Sequence, residues 1–489
     1  MSRLNAKALA QLPEAVAVPQ YVRRAIKSAI VHLGIGAFHR GHQAWYTEQV
    51  LNNEGGDWGI TGVSLRSATV QQQLQPQDGL YTLLEKQGEE QRLQVIGAIK
   101  DVIVAPENPG ALLSLLSDEA TQVVTLTITE KGYCYDFAAD SLDEKNPDIL
   151  HDLEYFPFQL KTAVAYLVAA LRTRRKNKLP LTVISCDNLP ANGRILEKVV
   201  LAFAEKIDTT LAHWIKTSVA FPCSMVDRIV PATTPEDIAS VREVLGMEDL
   251  AAVATEPFAQ WVVESNFKTP VPAWDKVGAL FVDDVEPFED MKLRLLNGSH
   301  SIIAYLGYLA GYDYVHQVVA DKDFAAFIRA YMDNIATPTL SMPDGFDVEA
   351  YKDQLLARFA NASLNHKTSQ IAQDGSQKIP QRWLASLREN GAAGRDISIL
   401  ALALAGWIRY LQGQRDNGET YTIIDPAADQ LTAMTLRVSG SAQLVPNVLA
   451  VESIFSGLDK ELPDLVAQVI DWHKQLIAEG CQSVVTSFI

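Results

Sequence analysis

The sequence predicts an α/β protein, with a doubly wound parallel sheet in its first half and a mostly α-helical domain in its second. Short apolar runs alternate with helix-like segments up to about residue 285. These runs are apolar on both faces, as expected of strands covered by helices on both sides. From residue 286 onward, long helical patterns dominate. We therefore predict a first domain over residues 1–285, including an N-terminal arm, and a second over residues 286–489.

The individual elements follow from hydrophobic periodicity. The predicted strands cover residues 29–36, 58–65, 93–99, 122–129 and 181–188. Predicted helices follow the first strand at 42–51 and precede the last two strands at 111–117 and 163–175. In the second half, helical patterns open at residue 286 and continue at 323–335, 347–359, 397–413 and 464–480.

The charge balance limits the classes of partner. Forty-two basic residues against 59 acidic ones give a net charge of -17. This charge argues against a surface that binds the phosphates of a nucleic acid. The one dense basic run, RTRRKNK at 172–178, follows an apolar helix. Basic side chains stabilise a helix C-terminus, so this run predicts the end of a helix.

Cysteine usage and hydropathy point to a cytoplasmic protein. The four cysteines are scattered without a CxxC pair, which argues against a disulfide framework and a thiolate zinc site. The N-terminus lacks the continuous apolar core of a signal peptide, and apolar segments such as 399–408 are too short to span a bilayer. We expect no metal, no nucleic acid and no membrane as partners.

The segment VHLGIGAFHRGH, residues 31–42, is a glycine-rich turn between a predicted strand and a helix. This is the context of a dinucleotide site in a Rossmann-like domain, where glycines let the backbone approach a pyrophosphate at a helix N-terminus. His39 stands where the third glycine of GxGxxG is expected. The alternative is a turn that binds no ligand. The candidate cofactor-binding residues are Gly34, Gly36, Ala37, Phe38, His39 and Arg40.

The end of the second predicted strand bears on the choice of cofactor. The dinucleotide fingerprint expects a carboxylate there for the ribose hydroxyls, but the sequence reads Ser64, Leu65, Arg66 and Ser67. Arg66 could pack against adenine, hold a 2′-phosphate, or be an ordinary surface arginine. NAD and NADP therefore both remain possible.

Polar residues follow two later strands, in TITEKGY (127–133) and SCDNLPANG (185–193). Ligands of open α/β sheets bind beyond such carboxyl ends, which makes Glu130 a candidate for cofactor binding, as Arg66 is, and Lys131 and Asn188 candidates for binding a ligand. Asp227 and Arg228 lie between apolar residues further on. The structural alternatives are a Glu130–Lys131 salt bridge, an asparagine that only shapes a turn, and an Asp227–Arg228 ion pair.

The stretch KLRLLNGSH, residues 292–300, opens the second half. On an α-helix with Lys292 at zero, His300 lies at about 80° and Asn297 at about 140°, so one half of the helix carries all three. A lysine near leucines can have a lowered pKa and act as a general acid or base. Glu289, three residues earlier, could relay its proton or pair with it. The alternatives are a solvated lysine, a capping asparagine and a core histidine.

The motifs that are absent narrow the chemistry. The sequence has no YxxxK pair of a short-chain dehydrogenase, too few cysteines for a zinc alcohol dehydrogenase, no P-loop and no nucleophile elbow.

Taken in order, the motifs IVHLGIGAFHRGHQA, LTITEKGY, ISCDN, FPCSMVDRIVP, EPFAQWVVESNF, MKLRLLNGSHS and DGSQKIPQR resemble the polyol-specific long-chain dehydrogenases, the family of mannitol 2-dehydrogenase and fructuronate reductase. The resemblance implies that Lys292 is the general acid/base. It also implies that Asn188 and Asn297 bind the reacting oxygen, that His300 contacts substrate, and that Glu289 takes part in proton passage. It further implies a monomer or small homo-oligomer.

Within the family, LTITEKGYC, GSHSIIAYLGYLAGY and DGSQKIPQR resemble the fructuronate reductase branch. This implies a metal-independent NAD(H)-linked oxidoreductase that interconverts D-fructuronate and D-mannonate. Asp227 and Lys378 are then candidates for substrate binding, and Lys131 and Arg382 for the substrate carboxylate. A neutral-polyol dehydrogenase acting on mannitol or arabinitol is the nearest alternative, and a non-catalytic nucleotide-binding regulator is another.

Overall fold

The computed structural model describes residues 2–438 and 440–489. The chain divides after Glu286 into two compact units, which we call unit 1 and unit 2. Within the described ranges, no helix has the length and hydropathy that crossing a bilayer requires.

The strands belong to unit 1. In chain order they are β1 Val16–Ala17, β2 Ser28–Leu33, β3 Gly59–Ser64, β4 Tyr81–Gln87, β5 Glu90–Ile96, β6 Ile99–Val104, β7 Val123–Leu126, β8 Tyr135–Asp136, β9 Ser141–Leu142, β10 Leu181–Ser185, β11 Val219–Ala220, β12 Ser224–Asp227, β13 Val253–Thr255, β14 Gln260–Glu264 and β15 Leu280–Val282.

The helices of unit 1 are α1 Ala37–Gly41, α2 Gln43–Asn53, α3 Thr69–Leu74, α4 Pro109–Ser117, α5 Pro147–Tyr155, α6 Ala163–Asn177, α7 Asn192–Ile207, α8 Thr209–Ser218 and α9 Pro235–Leu245. Those that follow are α10 Glu286–Met291, α11 Gly298–Ile302, α12 Val315–Ala320, α13 Lys322–Tyr331, α14 Val348–Phe359, α15 Thr368–Ile371, α16 Gly375–Ile379, α17 Ala385–Ala392, α18 Ser398–Tyr410, α19 Ala428–Arg437, α20 Ser441–Leu449, α21 Glu452–Phe455, α22 Leu458–Glu461, α23 Pro463–Glu479 and α24 Cys481–Phe488. π-helical segments lie at Lys292–Asn297, Ile303–Gly307, Met332–Ala336 and Pro380–Leu384.

The main sheet of unit 1 is parallel throughout, with strands in the order β11-β10-β7-β2-β3-β6. Counted along the chain from β2, and read from the β6 edge, this is the 3-2-1-4-5-6 order of a dinucleotide-binding sheet. Side chains of β2 enter two apolar clusters on opposite faces, Val31 and Leu33 in one and Ile30 in the other. The predicted doubly wound sheet is confirmed, and its strand order reverses between β2 and β7.

The predicted strand at 93–99 is wrong in its extent and its partners. β5 ends at Ile96 and pairs antiparallel with β4 in a separate sheet of order β1-β5-β4-β13. The third strand of the parallel sheet is β6, which begins only at Ile99. The chain turns at Gly97, whose N–H donates to Glu48 and whose carbonyl accepts from Arg23. A Cβ at Gly97 would lie 2.7 Å from the Arg23 side chain, so the close approach of Arg23 fixes this turn.

The basic run at 172–178 ends helix α6, as predicted. The guanidinium of Arg174, which is 1% exposed, donates to the backbone carbonyls of Leu116, Asp118, Thr121 and Pro180. These bonds join the end of α6 to the segments on either side of it.

Unit 2 is built around α18, whose residues from Ile399 to Tyr410 are all buried and which packs against α23. A helix that is apolar on every side belongs inside a protein. The helix predicted to open this half is not a regular α-helix, since π-helical turns interrupt it at Lys292–Asn297 and Ile303–Gly307.

Candidate active site

The glycine turn of unit 1 follows β2, at the point where the strand order reverses. Gly34 has a φ of +96°, and a Cβ there would lie 2.0 Å from the carbonyl oxygen of Thr127, so only glycine fits. A Cβ on Gly36 would meet only the Gly34 oxygen, at 3.9 Å. The backbone at Gly36 is therefore open to a ligand, and Ala37 starts the following helix.

His39 and Arg40 point into the core of unit 1. The His39 ring is fully buried and stacks on His32 with centroids 3.4 Å apart. Burial lowers the pKa of His39 well below its usual value, and His32 and Arg40 lower it further. Arg40 donates to the carbonyl of Ala251 at 2.6 Å. His39 and Arg40 are candidate cofactor-binding residues, but the His39 ring is held neutral and the Arg40 guanidinium binds backbone, so neither presents a free cation at the turn.

Asp187, two residues after the end of β10, stabilises the loop that follows β7. Its carboxylate accepts hydrogen bonds from the N–H groups of Ile128 at 2.9 Å and Thr129 at 3.0 Å, and from the Tyr133 hydroxyl at 2.7 Å. Asn192 donates to the Asp187 carbonyl at 2.9 Å. The strand ends that carry the candidates Glu130, Lys131 and Asn188 are thereby tied together.

Thr129 adopts a backbone conformation that is rare for a β-branched residue, with φ 65° and ψ 163°. Such a conformation costs about 1–3 kcal/mol and persists where the surroundings enforce it, often at functional sites. The bond from its N–H to Asp187 supplies that enforcement.

The other candidates of unit 1 occupy contrasting positions. Arg66, Glu130, Lys131 and Asn188 are exposed, whereas Asp227 is 5% exposed at the end of β12. Arg228 pairs with Glu85 at 2.6 Å, so its ion pair is made elsewhere in the chain. The cofactor and substrate roles of these residues stay predictions.

In unit 2, Lys292 and Asn297 open and close a π-helical turn. A π turn contains about one residue more than an α turn and often marks a functional site. Lys292 and Asn297, five residues apart, therefore lie about one turn apart on the same side of the helix. The angle of about 140° between them, expected on an α-helix, is wrong for this segment. Glu289 lies in α10, immediately before this turn, and His300 in α11, immediately after it.

His300 is 7% exposed and packs against Phe359 and His366, with ring centroids 4.7 Å and 5.3 Å away. Its Nε2 atom has no hydrogen-bond partner among the described residues. Burial lowers the pKa of His300 well below its usual value, and the nearby charges of His366, Arg382, Arg358 and Lys378 lower it further. The imidazole is neutral at pH 7 and can bond to a ligand hydroxyl through Nε2.

Lys378 and Arg382 lie close to this histidine. Burial, followed by the Arg382 charge, lowers the pKa of Lys378 to about 8. Burial also lowers the pKa of Arg382 to about 10. Arg382 donates to the carbonyl of Asn297 at 3.2 Å and to the Ser301 hydroxyl at 2.9 Å. Unit 2 thus brings together four predicted site residues, Asn297, His300, Lys378 and Arg382, in a cationic environment.

Comparisons with known proteins match both units of the chain to domains of one family. The mannitol dehydrogenase Rossmann domain matches residues 28–276, and the mannitol dehydrogenase C-terminal domain matches residues 284–477. The D-mannonate oxidoreductase of Escherichia coli (strain K12) is 44% identical over 481 residues, or 96% of this chain and 98% of that protein. The uncharacterized oxidoreductase YeiQ of the same strain is also 44% identical, over 98% of both chains. The solved ternary complex of Pseudomonas fluorescens mannitol 2-dehydrogenase with NAD and D-mannitol is 40% identical, covers 99% of both chains and gives a TM-score of 0.87.

The chain belongs to the mannitol dehydrogenase family. It is accordingly an oxidoreductase that acts on CH–OH groups, which confirms the predicted enzyme class, family and fold. Within the described ranges, no cluster of three or more potential ligand side chains could hold a metal ion.

The mannitol dehydrogenase family motifs did not reveal every residue that shapes this region. Asp187 stands beside Asn188 after an apolar strand, a position that could have drawn attention. Arg358 and His366 lie in segments without any motif, and only folding brings them to His300.

Proposed function

We propose that the chain is an NAD(H)-linked oxidoreductase that interconverts D-fructuronate and D-mannonate, with Lys292 as general acid/base. The observation that carries the substrate assignment is the cationic environment of His300 in unit 2. The family assignment supports the reaction type, and the D-mannonate oxidoreductase relative supports the substrate class.

The cofactor assignment is supported by the fit of unit 1 to a dinucleotide. The strand order reverses between β2 and β7, which is where open α/β sheets bind such ligands. At that point Gly34 makes a tight turn and Gly36 leaves room for a pyrophosphate against the backbone. Ala37 and Phe38 start the helix beside it. NAD(H), when bound, would accept or supply the hydride. The related mannitol 2-dehydrogenase of Pseudomonas fluorescens was solved as a ternary complex with NAD and D-mannitol, which supports NAD as the cofactor.

The remaining steps are proton transfer and charge stabilisation by residues of the chain. In the reducing direction, Lys292 supplies the proton to the carbonyl oxygen, and in the oxidising direction it removes the hydroxyl proton. The amide groups of Asn188 and Asn297 donate to the oxygen as negative charge develops on it. Neutral His300 bonds to a substrate hydroxyl through its buried Nε2.

A sugar acid differs from a polyol by a carboxylate, and burying that charge requires a cation. Lys378 and Arg382 lie where their charges act on His300, and we assign them to the substrate carboxylate. Lys131, exposed after β7, is the further candidate. A neutral polyol has no carboxylate for these cations to bind. Mannitol or arabinitol is therefore the second candidate substrate.

The test is an absorbance assay of the whole chain with NAD(H) and NADP(H), against fructuronate, mannonate, fructose, mannitol and arabinitol. The expected result is turnover of fructuronate and mannonate at least about 10-fold more efficient than that of the neutral sugars, since one charge-assisted bond contributes about 1.5–3 kcal/mol. Turnover of mannitol without mannonate would contradict the proposal. Binding of NADH without any turnover would favour a regulator.

A further inference from the structure

The π turn at Lys292–Asn297 rearranges the backbone hydrogen bonds around Gly298. In an α-helix the Gly298 N–H would donate to the carbonyl four residues back, that of Arg294. It donates instead to the carbonyls of Leu293 and Leu295. The Arg294 carbonyl has lost its α-helical donor.

Tyr331, at the end of α13, supplies a donor for that carbonyl. Its hydroxyl lies 2.8 Å from the carbonyl oxygen of Arg294, and the side chain is fully buried. Burial raises the pKa of Tyr331, so the hydroxyl keeps its proton and remains a donor. A buried carbonyl without any donor would destabilise the folded chain.

Gly298 makes room for this contact. Its φ of -62° and ψ of -47° are ordinary helical values, so its backbone conformation does not call for glycine. An ideal Cβ at Gly298 would, however, lie 2.0 Å from the Tyr331 hydroxyl oxygen and 2.9 Å from its Cζ. The glycine is needed for the close approach of the tyrosine.

Two further side chains hold the same turn. Arg382 donates to the carbonyl of Asn297 at 3.2 Å, and the Trp383 indole donates to the carbonyl of Gly298 at 3.1 Å. Three carbonyls in this stretch therefore accept from side chains of other segments. These three hydrogen bonds from other segments fix the conformation of the π turn.

We propose that Tyr331 is a positioning residue of the reaction: its hydroxyl, seated against Gly298, keeps the Arg294 carbonyl out of the helical ladder and so sets Lys292 and Asn297 about one turn apart. The inference rests on the proposed function, in which these two side chains act on the same oxygen. A shift of about 1 Å in such groups costs up to about 100-fold in rate.

The test compares Tyr331→Phe with Tyr421→Phe in the full-length chain. Tyr421 is the matched control, because its hydroxyl also donates to a backbone carbonyl at 2.8 Å, that of Tyr410. Hydrogen exchange of the peptide spanning residues 291–302 should become at least several-fold faster in Tyr331→Phe and stay unchanged in the control. In the fructuronate assay, kcat should fall about 10- to 100-fold in Tyr331→Phe, with KM and the Kd for NADH kept within about two-fold.

A double-mutant cycle sharpens the assignment. Gly298→Ala should reduce kcat strongly in the unmodified chain and much less in Tyr331→Phe, because the atom nearest to the new Cβ is then absent. Unchanged exchange in Tyr331→Phe, a kcat equal to that of the control, or strictly additive losses would each overturn the inference. Failure of the proposed function shows separately, as absence of fructuronate turnover in the unmodified chain, and hydrogen exchange then still decides whether Tyr331 holds the turn.

Discussion

Replacing Asp187 with asparagine is expected to destabilise the carboxyl end of the parallel sheet, where β7 and β10 end. The carboxylate accepts three hydrogen bonds, from two backbone N–H groups and the Tyr133 hydroxyl. An asparagine has one acceptor oxygen, so at least one charge-assisted bond is lost and an amide N–H2 faces a backbone donor, at a cost of about 2–4 kcal/mol. Release of the strained Thr129 backbone recovers part of this, about 1–3 kcal/mol.

The net expectation for Asp187→Asn is a loss of about 1 kcal/mol in the free energy of unfolding, with an upper limit of about 3 kcal/mol if the Thr129 strain recovers only about 1 kcal/mol. For unit 1, which spans residues 1–286, that corresponds to a decrease of about 2–5 °C in the melting temperature. Differential scanning calorimetry is the suitable assay, since it resolves the transitions of separate units. Asp136→Asn is the control, because Asp136, at the end of β8, also accepts from two backbone N–H groups, but in solvent-exposed hydrogen bonds. An equal melting temperature in Asp187→Asn and the unmodified chain would refute the bracing role.

Three further predictions concern the cofactor turn, the buried histidines and the substrate carboxylate. Gly36→Ala should raise the Kd for NADH, measured by fluorescence titration, at least about 10-fold and leave the melting temperature unchanged. Gly34→Ala should lower the melting temperature, because Gly34 has a φ of +96° and a Cβ there would lie 2.0 Å from the Thr127 oxygen. Equal effects of the two substitutions would contradict this division of roles. Burial lowers the pKa of His32 to about 3, against about 6.5 in the unfolded chain. The folded state therefore binds fewer protons, and the free energy of unfolding falls as the pH drops from 6.5 towards 3, by up to about 4–5 kcal/mol. Calorimetry between pH 7.5 and 4 measures this dependence, and a melting temperature that does not change with pH would contradict it. Lys378→Met should raise KM for fructuronate about 10- to 100-fold and leave KM for any neutral sugar within about two-fold; a uniform loss on all substrates would remove Lys378 from carboxylate recognition.

The sequence predicts the fold well where a pattern is local. The glycine turn after β2, the apolar strands and the basic end of α6 each depend on residues adjacent in the chain. The error at residues 93–99 has a non-local cause, because the turn at Gly97 is fixed by Arg23 and Glu48, which come much earlier. Periodicity alone reads through such a turn as one strand.

The candidate site shows the same division. The motifs point to Lys292, Asn297 and His300, but not to the π turn that sets their spacing. That turn depends on the hydroxyl of Tyr331, 37 residues away from Arg294. The spacing of residues within one helix cannot reveal a hydrogen-bond donor that lies on another helix, as Tyr331 does.

The most direct test of the proposed chemistry is single-turnover reduction of fructuronate by NADH in Lys292→Ala. The rate of NADH consumption is expected to fall by about 100- to 10,000-fold, the usual contribution of a general acid, while the Kd for NADH is unchanged. A rate within about two-fold of the unmodified chain would contradict the role of Lys292. A large loss of kcat in Lys378→Met instead would move the proton transfer to Lys378, whose pKa of about 8 also suits it.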